Sequence, residues 1–154
     1  MTRVFRILRK PHSSKPLDGE GAYRFGGRWS SRGTRLAYTS RYLSLAMVEY
    51  FVHIDPDDLP KDLVVVPVDV PDQVSRVSLT ARQLPANWRR SPAPAGLASI
   101  GDAFAAGQKA AILIVPSVLV PAESNWLINP RHSEFGLIRV RPPQPFHYDE
   151  RFFS

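Results

Sequence analysis

A proline fixes φ at about −65° and has no N–H to offer a helix or a sheet. This chain carries fifteen prolines in 154 residues. They punctuate its middle and C-terminal half, which argues for short strands and ordered loops rather than a helical bundle. The length suits one domain, residues 1–154, with a core large enough to need no staple. Cysteine is absent, so disulfides and thiolate chemistry are excluded. No apolar run approaches the roughly 20 residues that a membrane span needs. The N-terminal MTRVFRILRK has charges scattered through it and lacks the apolar stretch of a signal peptide. A cytoplasmic protein with no membrane partner is expected.

Periodicity divides the chain into short elements. Residues 3–9 alternate as a strand, and the polar stretch 11–22 reads as a loop. Gly26-Gly27 and Ser31-Arg32-Gly33 mark turns, with short strands at 28–29 and 36–39. Ser40 is placed to cap a helix over 41–53. On that helix Tyr42, Leu45, Ala46 and Glu49 share one face, and Leu45, Val48 and Val52 form an adjacent apolar stripe. LVVVPVDV at 63–70 is a buried strand in which Pro67 suggests an edge or a bulge. A strand over 72–77, a helix over 97–109 that tolerates Gly101, and a strand over 111–115 follow, with 118–120 extending the last. Residues 121–130 read as a structured loop, 135–141 as a final strand, and the aromatic tail as pinned to the body. Six or seven strands and two helices without regular alternation give an α+β fold with a largely antiparallel, split sheet.

The charge is unevenly placed. Residues 1–41 hold ten Lys/Arg against two acids, a net of +8, while the other 113 residues hold ten against twelve, a net of −2. Sixteen of the twenty basic residues are arginine, whose planar fork grips phosphate oxygens in pairs. This points to an anion site built by the N-terminal segment, or else to a solvated basic face that meets an acidic partner.

No HExxH, CxxC, Walker A or GxGxxG motif is present, and the four histidines show no metal-ligand spacing, so no metal is expected. Three polar residues stand out. Glu49 lies among Met47, Val48, Tyr50, Phe51 and Val52, where a carboxylate is costly unless it is paired or faces a cleft. A structural ion pair to an N-terminal arginine is the plainer alternative. Arg28 follows two glycines that let backbone approach a ligand closely. Tyr38 ends a strand just before the helix, where tyrosines usually pack in a core.

The run GAYRFGGRWSSRGTRLAYTS followed by LSLAMVEYFVH resembles the N-terminal half of the RES domain, a family named for Arg, Glu and Ser. IGDAF, ILIVPSVLVPAESNWLINP and FHYDERFF resemble its C-terminal half in the same order. The resemblance spans about residues 4–152, and GGRW together with PSVLVPAESNWLINP is its most specific part. It implies a fold similar to ADP-ribosyltransferases and a toxin of a bacterial toxin–antitoxin pair. It also implies degradation of NAD⁺ by hydrolysis or phosphorolysis, with phosphate as a co-substrate in the second case, or transfer of ADP-ribose to protein. The implied partner is an Xre-type DNA-binding antitoxin that blocks the active site, so DNA is met only through that antitoxin. Carried over by position, the resemblance implies catalytic Glu49, Arg28 and Tyr38. It also implies an NAD⁺ site of Arg6, Arg28, Tyr38, Ser117 and Asn125, with Asn129 behind.

The chemistry suits those residue types. Cleaving the nicotinamide–ribose bond passes through an oxocarbenium-like state with positive charge on the ribose. Glu49 would hold a ribose hydroxyl and stabilise that charge, a contribution of about 2–4 kcal/mol. Arg28 and Arg6 would clamp the pyrophosphate, Tyr38 would stack on the nicotinamide, and Ser117 would bond its amide or a ribose hydroxyl. Asn125 would order its loop. A rival from another class is a non-catalytic module that binds nucleic acid through the basic N-terminal segment, with strong salt dependence. Against it stands the absence of a helix-turn-helix pattern.

Overall fold

A computed structural model describes residues 1–154. Eight strands form one curled sheet. They are β1 (Thr2–Arg9), β2 (Ala37–Ser40), β3 (Leu63–Val70), β4 (Arg76–Ser78), β5 (Ile112–Pro116), β6 (Ser124–Ile128), β7 (Arg139–Val140) and β8 (Gln144–Pro145). The order is β4-β5-β6-β2-β1-β3-β7, with β8 also on β3, and only the β4–β5 pair is parallel. Three helices accompany the sheet: α1 (Glu20–Phe25), α2 (Leu43–Phe51) and α3 (Ala95–Gly107). No helix is long and apolar enough to cross a membrane.

The sheet is split in the sense expected from the sequence. β1 pairs with β3 along all eight of its residues, but with β2 through the single pair Phe5–Ser40. Two half-sheets therefore meet at one point and splay apart beyond it. Each half buries its own apolar set. Ile7, Ala46, Leu63 and Val65 pack between β1, β3 and α2. Trp29, Leu36, Leu97, Leu113 and Leu127 pack under α3. A third cluster, including Val4, Val66, Val68, Ile112 and Ile128, runs along the opposite side of the sheet. Each fully buried aliphatic chain contributes about 1.5–3 kcal/mol.

Several local expectations are corrected. β3 is an interior strand although it contains Pro67, because its far edge is covered by two separate short strands, β7 at 68–69 and β8 at 64–65. The Pro67 carbonyl accepts from the Arg141 amide in the gap between them. In a strand the amide points the same way as the carbonyl, so the missing N–H falls in that gap and costs no ladder bond. Ser40 does not cap α2. Tyr42 holds the N-cap position and Ser40 belongs to β2. Along the apolar stripe of α2, Leu45 is buried whereas Val48 and Val52 are exposed. The stretch 20–25 is helical, and 124–128 is a strand between β2 and β5 rather than a loop. Residues 118–120 bend away instead of extending β5, residues 28–29 form the turn closed by the isolated Gly27–Ser30 bridge, and the strand expected over 135–141 is confined to 139–140 behind a 3-10 turn. The aromatic tail is pinned as expected: Tyr148 and Phe152 pack on Phe51, and the Tyr148 hydroxyl donates to the Met47 carbonyl at 2.6 Å.

Candidate active-site cleft

A cavity of about 1130 Å³ opens where β1 and β2 part. Arg6, Arg28, Tyr38, Glu49 and Asn125 all line it. Arg6 sits at the splay itself. Its Nη1 donates to the Tyr38 carbonyl at 2.8 Å, joining the two strands by a side chain beyond their one backbone pair. No carboxylate pairs with Arg6, and its Nε is buried without a partner. Burial pulls the guanidinium below its ordinary value, with Asp18, Tyr38 and Tyr50 opposing. A half-buried cation with no partner carboxylate is stabilised by an anion that enters the cavity.

Glu49 is held from behind through one oxygen. Oε1 accepts from Ser117 Oγ at 2.7 Å and from Asn125 Nδ2 at 2.8 Å. Asn125 is oriented in turn by Ser40, whose hydroxyl donates to Asn125 Oδ1 at 2.8 Å. The Ser117 oxygen accepts the amides of Leu119 and Val120, which fixes the turn after β5. Oε2 has no protein donor, and no arginine forms an ion pair with Glu49. The carboxylate therefore presents one free acceptor on the cavity wall. Ser117 is fully buried and stands behind Glu49, outside the lining.

The GGRW turn delivers Arg28. The Tyr38 hydroxyl accepts from the Trp29 amide at 3.0 Å and shares a hydrogen bond with Ser30 Oγ at 2.8 Å. Burial pushes the Tyr38 phenol up, against the two hydrogen bonds from Ser30 and Trp29. Gly27 makes this possible, because a Cβ there would lie 2.7 Å from the Tyr38 oxygen. Arg28 Nη1 donates to the carbonyls of Trp88 and Arg90, at 3.1 and 3.0 Å, leaving Nε and Nη2 without a protein acceptor.

Most of the other N-terminal arginines are neutralised locally: Arg3 by Asp69, Arg9 by Asp62, and Arg24 and Arg35 by Glu20. Arg6 and Arg28 bring unpaired charge to the cavity. Arg89, Tyr50 and His53 also line it, and no motif in the sequence marks them as site residues. The only signal for Arg89 was its place in NWRRSP, next to a proline-rich stretch.

The RES domain family model matches residues 3–149. The chain is 37% identical over 144 residues to the Prs ADP-ribosylating toxin of Sphingobium sp. (strain YBL2), covering 92% of this chain and 89% of that protein. It is 34% identical over 149 residues to Toxin Res of Yersinia enterocolitica, covering 96% and 97%. Among solved structures it is similar to a chain of the M. tuberculosis MbcT-MbcA toxin–antitoxin complex. The TM-score is 0.77 at 19% identity, over 94% of this chain and 84% of that one, and the likeness is one of fold.

Proposed function

This chain belongs to the RES-domain family, and on that premise we propose that it is the toxin of a toxin–antitoxin pair and cleaves the nicotinamide–ribose bond of NAD⁺. The observation that carries the reading is Glu49. It is fixed through Oε1 by Ser117 and Asn125, with Oε2 free, in a cavity that also holds the unpaired Arg6 and Arg28. A free carboxylate oxygen beside an anion-binding wall is what an electron-poor ribose attached to a pyrophosphate requires. At about 1130 Å³ the cavity exceeds the roughly 300–1,000 Å³ of common small-molecule sites, which leaves room for a dinucleotide and an acceptor.

In this reading Oε2 accepts a hydrogen bond from a ribose hydroxyl and stabilises the positive charge that develops as nicotinamide leaves. Arg28 and Arg6 hold the pyrophosphate, and Tyr38 sets the turn that aims Arg28. Water or inorganic phosphate then takes the anomeric carbon. A second reading, transfer of ADP-ribose to a protein side chain, is favoured by the name of the Sphingobium relative. The partner is an Xre-type antitoxin that covers the cleft. A toxin–antitoxin complex of similar fold supports an antitoxin partner, and if that partner is of the Xre type DNA is met only through it. The site of action is the cytoplasm, where NAD⁺ is held.

The test is NAD⁺ consumption by the purified chain beside Glu49→Gln, with and without phosphate. Loss of NAD⁺ that vanishes in the variant supports the reading, and phosphate dependence names the acceptor. A folded wild type that leaves NAD⁺ untouched in both buffers, yet labels a protein from labelled NAD⁺, moves the conclusion to ADP-ribosylation.

A further inference from the structure

The loop between Pro85 and Pro94 carries a guanidinium to the same cavity. Trp88 is buried in the core beneath α3 and anchors the loop. The carbonyls of Trp88 and Arg90, on either side of Arg89, are both held by Arg28 Nη1. The backbone that carries Arg89 is therefore clamped by the side chain of Arg28. Arg89 lines the cavity, has no carboxylate partner, and makes one long contact, Nε to the Val118 carbonyl at 3.3 Å. Its two terminal nitrogens have no protein acceptor. Val118 follows Ser117, which holds Glu49.

We propose that Arg89 is a substrate-binding residue that grips phosphate oxygens together with Arg28, an assignment that rests on the NAD⁺ reading of the same cleft. Two unneutralised guanidiniums on one cavity wall repel each other, and an anion between them removes that cost while gaining charge-assisted bonds. The contact to Val118 places the gripped phosphate in fixed relation to the turn that orients Glu49. The oxygens belong either to the pyrophosphate of the dinucleotide or to inorganic phosphate acting as acceptor. Arg90 is the natural control: it is exposed, adjacent, equally charged and outside the lining.

The experiment compares wild type, Arg89→Ala, Arg89→Lys and Arg90→Ala. It measures NAD⁺ turnover over a range of NAD⁺ and phosphate concentrations, and binding of ADP-ribose by calorimetry in phosphate-free buffer. Arg89→Ala should weaken ADP-ribose binding by about 10- to 100-fold and raise KM for NAD⁺ alike, with kcat nearly kept. Arg89→Lys should fall between, and Arg90→Ala should match wild type. Intact ADP-ribose binding with a raised KM for phosphate assigns the acceptor instead. Wild-type values for both in Arg89→Ala, or equal losses in Arg89→Ala and Arg90→Ala, overturn the proposal. If wild type binds ADP-ribose but consumes no NAD⁺, the catalytic reading fails while the binding comparison still judges Arg89. Because Arg89 is exposed, its variants should melt with the wild type.

Discussion

Ser117 donates its hydroxyl to Glu49 Oε1 at 2.7 Å across 68 residues of chain. The serine is buried and stands outside the cavity lining, so under the proposed NAD⁺ reading it acts on substrate through the carboxylate. A hydrogen bond to a charged group contributes about 1.5–3 kcal/mol. Ser117→Ala should therefore lower kcat for NAD⁺ cleavage by roughly 10- to 100-fold and leave KM within a few-fold. Glu49→Gln keeps the shape and removes the charge, and should cost at least about 100-fold. Steady-state kinetics on the two variants checks the order. Equal KM effects and an unchanged kcat in Ser117→Ala would show that the serine does not act through Glu49.

Gly101 lies in the middle of α3, where glycine ordinarily weakens a helix. A Cβ at that position would overlap the Trp29 carbonyl oxygen, so the helix rests directly on the backbone beside Arg28. A backbone atom cannot rotate away. Gly101→Ala should destabilise the fold by about 3 kcal/mol or more, a fall in Tm of roughly 6–12 °C for a chain of this size. Thermal melting measures it, and a neutral result would mean that α3 can slide off Trp29.

What could be read from the sequence was what is periodic over a short range. β1, β3, β5, α2 and α3 each carry an apolar pattern of their own, and that pattern marks their boundaries to within a few residues. α1 has only six residues and no buried face. It is held by the Asp18 carboxylate on the Glu20 amide and by the Glu20–Arg24 pair, contacts too local and polar to give a hydrophobic signal. β6 reads as a loop because Pro121 precedes it and Ser124 and Asn125 open it, and only its two neighbours, β2 and β5, make it a strand. Glu49 stands out in the sequence by its apolar neighbours, and the resemblance adds Ser117 and Asn125 as separate residues. That two of them converge on one oxygen of the third is a tertiary fact. Arg89 was missed for a related reason: only the fold turns its loop toward the cleft.

Asp69 is completely buried in β3 and accepts from Arg3 at 2.7 and 2.9 Å and from Arg141 at 2.7 Å. The two hydrogen bonds from Arg3, then the one from Arg141, hold its carboxyl well below the ordinary range despite burial. A depressed folded-state pKa stabilises the fold above the unfolded value of about 3.9, and that stability is lost as pH falls through the folded value. Asp69→Asn should cost about 1–3 kcal/mol at neutral pH, because both guanidiniums keep access to water. Urea unfolding between pH 7 and pH 2 should show the gap between wild type and variant narrowing only below about pH 4. A gap that stays constant would place the stabilisation in packing rather than in charge.

Tyr38 has two possible uses, and one substitution separates them. The residue lines the cavity, and its ring, packed on one side against the core beneath α3, is the part that would stack on a planar base. Its hydroxyl holds the Trp29 amide and Ser30, and so fixes the turn that carries Arg28. Tyr38→Phe keeps the ring and leaves the amide of the buried Trp29 without its acceptor, at a cost of about 1–3 kcal/mol. The freed turn no longer aims Arg28, so KM for NAD⁺ should rise several-fold while kcat changes less. Tyr38→Ala removes both functions and should be worse in each parameter. A Phe variant with wild-type KM and lowered Tm would assign the hydroxyl to stability alone and leave the ring as the part that meets substrate.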